Sequence, residues 1–128
     1  AGVKTQISLT ERGVSFGYGN LVVDMRSLAI MAETGAPVIF DVTHSTQLPA
    51  AGSATSGGER RFAPLLARAA AATGYVHGLF LEVHETPSEA KSDAEAQLNI
   101  DQAETLLRQV IPLLKQARPL ARDDGKFA

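Results

Sequence analysis

Three side chains in this sequence have the types and places needed for chemistry. His44 closes the run Pro37-Val38-Ile39-Phe40-Asp41-Val42-Thr43-His44, and Glu82 lies near the end of Gly78-Leu79-Phe80-Leu81-Glu82-Val83-His84. Asp93 stands in the polar stretch that follows. One imidazole and two carboxylates suit a borderline divalent ion such as Zn, Fe or Mn, with positions left open for water or substrate. The same groups could instead move protons as a general acid and base. Arg12 ends an earlier apolar segment, and its planar guanidinium fits a carboxylate or phosphate.

These groups act together only if the chain brings the ends of those segments to one place. Continuous Val/Ile/Phe runs read as strands covered on both faces, as in parallel sheets, where chemistry collects at the carboxyl ends. The stretch from Val3 to Gly13 reads as a further strand, ending Thr10-Glu11-Arg12-Gly13. Each strand is followed by a loop and a helical pattern, over Leu21 to Glu33, Glu59 to Thr73, and about Ile100 to Leu114. The series is therefore α/β, and right-handed crossovers would put all three strand tips on one edge. Glu11, Arg12, His44, Glu82 and His84 are then expected in one pocket. His77 precedes its strand and is expected at the opposite end.

Local signals fill in the rest. Asn20 is the expected N-cap of the first helix, Gly35 its stop, and Asn99 or Asp101 the cap of the last. Pro112 should bend or interrupt that last helix, and the tail 119–128 should fray. Ser56-Gly57-Gly58 ahead of Arg60 and Arg61 reads either as an anion site at a helix start or as a Ser/Gly lid with solvated arginines. The glycines near Gly13, Gly17 and Gly19 lack phosphate-loop spacing.

Composition narrows the classes. A chain of 128 residues can form one domain with a core, and a net charge of −2 with dispersed signs argues against a nucleic-acid surface. The absence of cysteine removes disulfides and thiolate chemistry, so any metal must be held by nitrogen and oxygen. No apolar run approaches the ~20 residues that span a bilayer, so no membrane partner and a cytoplasmic location are expected.

Taken in order, Thr10-Glu11-Arg12-Gly13, Phe16-Gly17-Tyr18, Leu21-Val22-Val23-Asp24, Phe40 to His44, Ser56-Gly57-Gly58 and Gly78 to His84 resemble 3-deoxy-D-manno-octulosonate 8-phosphate synthases. The likeness runs from about Val3 to Leu114. It implies that residues 1–128 are a single partial segment, the C-terminal three βα units of a (β/α)8 TIM barrel. It further implies a transferase that condenses phosphoenolpyruvate with D-arabinose 5-phosphate, on the route to lipopolysaccharide, and a homotetramer. Under that resemblance Arg12 binds phosphoenolpyruvate and Ser56 lies near the pentose phosphate. His44, Glu82 and Asp93 match ligands of the metal-dependent branch, which Gln47-Leu48-Pro49 and Ser92-Asp93-Ala94 also resemble. Gly19 and Glu85 depart from the pattern locally. The larger departure is length: the N-terminal half of the barrel is missing, with a fourth metal ligand and the lysines around phosphoenolpyruvate. Three units cannot close a barrel, so this segment alone is expected to be inactive. The alternative is a non-catalytic α/β half-barrel module that binds a phosphorylated ligand or a partner half-barrel.

Overall fold

The computed structural model describes residues 6–15, 19–49 and 57–121. Three parallel strands form its centre, β1 (Leu9–Glu11), β4 (Val38–Asp41) and β7 (Gly78–Phe80), in the order β1-β4-β7. Leu9 lies opposite Val38, and Ile39 opposite Gly78, so the three strands run out at the same level. Val38, Phe40 and Val42 are completely buried, as the unbroken apolar run requires of a central strand. A helix follows each strand: α1 (Arg26–Ala32), α2 (Ala63–Ala72) and α3 (Ile100–Ala121). Helix α2 buries four alanines and packs on α3, which buries Ala103, Leu106, Val110 and Ala117.

Two small antiparallel pairs sit beside the sheet, and they correct the helix boundaries read from the sequence. Strands β2 (Val14–Ser15) and β3 (Leu21–Val22) pair, so the first helix begins at Arg26 rather than Leu21. Its start is set by Asp24, whose carboxylate accepts the Arg26 amide at 3.0 Å and whose carbonyl accepts that of Ser27 at 2.9 Å. Asn20 caps nothing there; its side chain donates to Glu59 at 3.1 Å. Strands β5 (Gln47–Leu48) and β6 (Gly57–Gly58) close the base of the long loop after β4. A single 3₁₀ turn over Arg60–Phe62 precedes α2, so that helix begins at Ala63, with Pro64 in its first turn. The strands are also shorter than expected, β1 beginning at Leu9 and β7 ending at Phe80.

The last helix opens with a reciprocal cap. Asn99 Oδ1 accepts the Gln102 amide at 2.8 Å, and Gln102 Oε1 accepts the Asn99 amide at 3.0 Å. Helix α3 continues through Pro112 and Pro119, so of the bend or interruption expected at Pro112 the interruption does not occur: its buried stripe holds both sides of Pro112 while the proline itself faces out. Residues 119–121 are helical rather than frayed, and the remainder of the tail lies outside the described residues. Gly74, with φ +77°, lets the turn after α2 approach α3; a Cβ there would stand 2.5 Å from the Ala117 carbonyl oxygen. A second stripe of α3, including Ile100 and Ile111, borders an apolar groove of about 680 Å³ beside Val83. No helix among the described residues is long and apolar enough to cross a membrane.

Candidate metal centre

The polar residues at the tip of β4 are buried and fully partnered, which fixes where His44 points. The chain turns immediately after Asp41, and both carboxylate oxygens of Asp41 hold His44: Oδ1 accepts its backbone amide at 2.9 Å, and Oδ2 lies 2.7 Å from Nδ1. Ser45 Oγ donates to the Asp41 carbonyl at 2.6 Å, and Thr46 Oγ1 to the Thr43 carbonyl at 2.8 Å, locking the turn. The Phe80 ring stacks on the imidazole with centroids 5.8 Å apart. A carboxylate accepts, so Nδ1 is a donor, and in the neutral ring Nε2 carries the lone pair.

Nε2 faces Glu82, whose Oε1 lies 3.5 Å away. Glu82 is set in place by the neighbouring strand end, where its amide donates to the buried Thr43 Oγ1 at 2.8 Å. Gln97 reaches Glu82 Oε2 at 3.4 Å and donates to the Ser92 carbonyl at 3.0 Å. Asp93 enters from the following loop with φ +51°, and its carbonyl accepts the Ala96 and Gln97 amides. One donor atom each from His44, Glu82 and Asp93 lies within 4.8 Å of the others, all three residues being half-buried. Electron pairs converging in this way repel unless a cation or proton lies among them. The donor set therefore fits a divalent ion, with Asp41 as the outer partner that orients a ligating histidine. It also leaves an imidazole poised between carboxylates for acid/base work.

The other sequence candidates divide. Arg12 stands at the edge of the cluster, its Nη2 donating at 2.9 Å to Gln47 Oε1, while Gln47 Nε2 donates to Asp93. Glu11 does not join it: its buried carboxylate turns back to accept the Gly13 amide at 2.7 Å and the Ser27 hydroxyl at 2.5 Å. His84 also stays apart from the three donors, its Nδ1 accepting the Thr86 amide at 3.0 Å. His77 lies at the opposite end, as expected, accepting the Val38 amide at 3.1 Å. Ser56 lies outside the described residues.

Of the two readings of the Ser56-Gly57-Gly58 stretch, the anion site is not formed by its described residues Gly58 and Arg60. The Gly58 amide donates to the Glu95 carboxylate at 3.1 Å, and Arg60 donates to the carbonyls of Ala94 and Glu95. Arg61 pairs with Glu59 at 2.6 Å and lies over the Phe62 ring. The exposed helix start that the expectation needed is replaced by the 3₁₀ turn, and a carboxylate occupies the amide.

Asp41, Thr43, Gln47 and Gln97 hold the candidate ligands, and sequence reading assigned none of them a role. The signal was the Asp-x-x-His spacing and the polar run at the end of a buried strand; what was missing was the direction of each side chain.

Residues 1–117 match the family model of the DAHP synthetase I family. The chain belongs to that family. Within it, the chain is 60% identical over 103 residues to the 2-dehydro-3-deoxyphosphooctonate aldolase 1 of Burkholderia pseudomallei (strain K96243), covering 80% of this chain and 36% of that protein. The 2-dehydro-3-deoxyphosphooctonate aldolase of Paraburkholderia phymatum is 59% identical over the same length. Among solved structures, the DAHP synthase of Thermotoga maritima superposes with a TM-score of 0.69 at 28% identity, over 85% of this chain and 29% of its own. This member of the DAHP synthetase I family thus spans about a third of the length of the curated relatives it matches.

Proposed function

We propose that this chain contributes the C-terminal three βα units, as a single partial-barrel segment over residues 1–128, to a (β/α)8 synthase that forms 3-deoxy-D-manno-octulosonate 8-phosphate for lipopolysaccharide. The observation that carries the reading is the convergence of His44, Glu82 and Asp93 beside the ends of parallel strands, where barrels of this kind place their chemistry. The 60% identity to octonate aldolases, against 28% to the heptonate enzyme, favours D-arabinose 5-phosphate over erythrose 4-phosphate as the aldose.

In this reading His44, Glu82 and Asp93 hold a divalent ion, Zn, Fe or Mn, which when bound supplies Lewis-acid polarisation and orientation of the aldehyde. Asp41 keeps the proton on His44 Nδ1, so that Nε2 stays available. Arg12 clamps the carboxylate or phosphate of phosphoenolpyruvate, and Ser56 meets the pentose phosphate. The new carbon–carbon bond joins the enol carbon to the aldehyde carbon, water adds at the phosphate-bearing carbon, and that carbon–oxygen bond breaks to release phosphate. Burial of Asp41 at the end of β4 and of Thr43 just beyond it keeps the donor atoms fixed, so catalysis rests on positioning.

The test is an assay of the complete synthase carrying this segment, with each aldose in turn. Consumption of phosphoenolpyruvate with arabinose 5-phosphate, its loss on chelation and its return with added divalent ion are expected. Preference for the four-carbon sugar would overturn the substrate reading, and full activity after chelation the metal reading. The 128-residue chain alone should turn nothing over.

A further inference from the structure

The side chain of Gln47 joins the two halves of the site in a way that its chemistry makes specific. Its oxygen accepts from Arg12 at 2.9 Å, and its nitrogen donates to Asp93. Arginine can only donate and a carboxylate can only accept, so these partners fix the amide in one orientation. A glutamate here would oppose Asp93, and a lysine would oppose Arg12. The backbone of Gln47 is anchored as firmly as its side chain: its amide donates to the His44 carbonyl, and it pairs with Gly58 across β5 and β6. One residue thus touches the histidine, the aspartate and the arginine.

We propose that Gln47 is a positioning residue that couples anion binding at Arg12 to metal binding at His44, Glu82 and Asp93; this rests on the metal reading above. The Arg12 guanidinium is exposed and reaches Gln47 through Nη2, leaving other N–H groups for an anionic ligand. An anion held there orders the guanidinium, which fixes the Gln47 oxygen and, through the rigid amide plane, the nitrogen that steadies Asp93. Less freedom then remains to be lost when Asp93 ligates, so the two ligands favour each other. Linkage makes the effect reciprocal: metal tightens the anion by the same factor.

The experiment measures cobalt(II) affinity of the complete synthase by competition with a chromophoric chelator, with and without saturating phosphoenolpyruvate. The wild type should bind cobalt at least about fivefold tighter with phosphoenolpyruvate, within the usual range of coupling. Gln47→Met keeps the volume and loses both bonds; Gln47→Glu still accepts from Arg12 but repels Asp93. Both should hold the phosphoenolpyruvate effect under about twofold, and either folded variant is sufficient. A residue that merely stabilised the loop would change cobalt affinity and leave the shift intact. A wild-type shift under about twofold, or variants that retain the full shift, would overturn the coupling. Wild-type protein that binds no cobalt at all would overturn the metal reading beneath it, a different pattern of result.

Discussion

Asp41 shows how a buried carboxylate can matter without touching a ligand. Both of its oxygens are spent on His44, so replacing one with an amide nitrogen sets a donor against either the His44 amide or Nδ1–H. Asp41→Asn should therefore lower metal affinity by about 10- to 100-fold while the fold survives; unchanged affinity in a cobalt titration would remove Asp41 from the site. Asp24 acts differently. The side-chain hydrogen bonds from Arg26, helped by its amide, hold the exposed Asp24 carboxyl down at about 2. A depressed folded value means that its contribution is present above the unfolded value of about 3.9 and is lost as pH falls through about 2. The stability difference between parent and Asp24→Asn should thus be present at about pH 5 and shrink through the window between about pH 4 and 2; urea midpoints that diverge further in acid would contradict this. At this scale the grouping of His44, Glu82 and Asp93 was legible in the sequence, because imidazoles and carboxylates after buried strands stand out; what the group does stays with the proposal above. Glu11 was misread for the same reason: a carboxylate at a strand tip looks alike whether it faces a pocket or turns back to its own loop.

The elements were legible where a single pattern decided them. The apolar run of β4 and the 3.6-residue period of α3 stand in the structure as they do in the sequence, and of the two caps expected for α3, Asn99 or Asp101, it is Asn99 that caps. Asn99→Ala should cost ~1 kcal/mol, read as a lower urea midpoint of the complete protein with unchanged slope; an unaltered midpoint would show that tertiary packing alone sets the start of α3. Where two patterns competed, the sequence did not decide. Leu21 and Val22 continue the helical period of the residues after them, and only their pairing with β2, a contact between separate segments, makes them a strand. Gly74 directly follows the helical pattern read over Glu59 to Thr73, but the closeness of α3 behind it could not be seen from local sequence. Gly74→Ala faces both φ +77° and the Ala117 carbonyl, and should destabilise by more than about 1 kcal/mol. Denaturation that matches the parent would mean that α3 shifts freely.

For the whole molecule, the sheet order leaves β1 and β7 each paired on one side only among the described residues. Val83, Ile100 and Ile111 stand 44%, 56% and 43% exposed around their groove. Edges and apolar faces of this kind are templates for association. The 128-residue chain on its own should bind a hydrophobic dye and self-associate with concentration, whereas a full-length barrel of the kind proposed above should not bind the dye; a dye-silent monomer of the 128-residue chain in the ultracentrifuge would refute this. The family resemblance carried the whole-molecule reading, because periodicity and spacing can describe three strands but not the partners their edges lack. Those edges have a further consequence for synthesis in the cell. In the proposed order, the first units of the barrel leave the ribosome before this segment does, and at 5–20 residues per second the wait is on the order of 10 s. Throughout that interval the nascent chain carries the complementary open edges, so it is during translation, more than in the finished enzyme, that chaperones have reason to hold it.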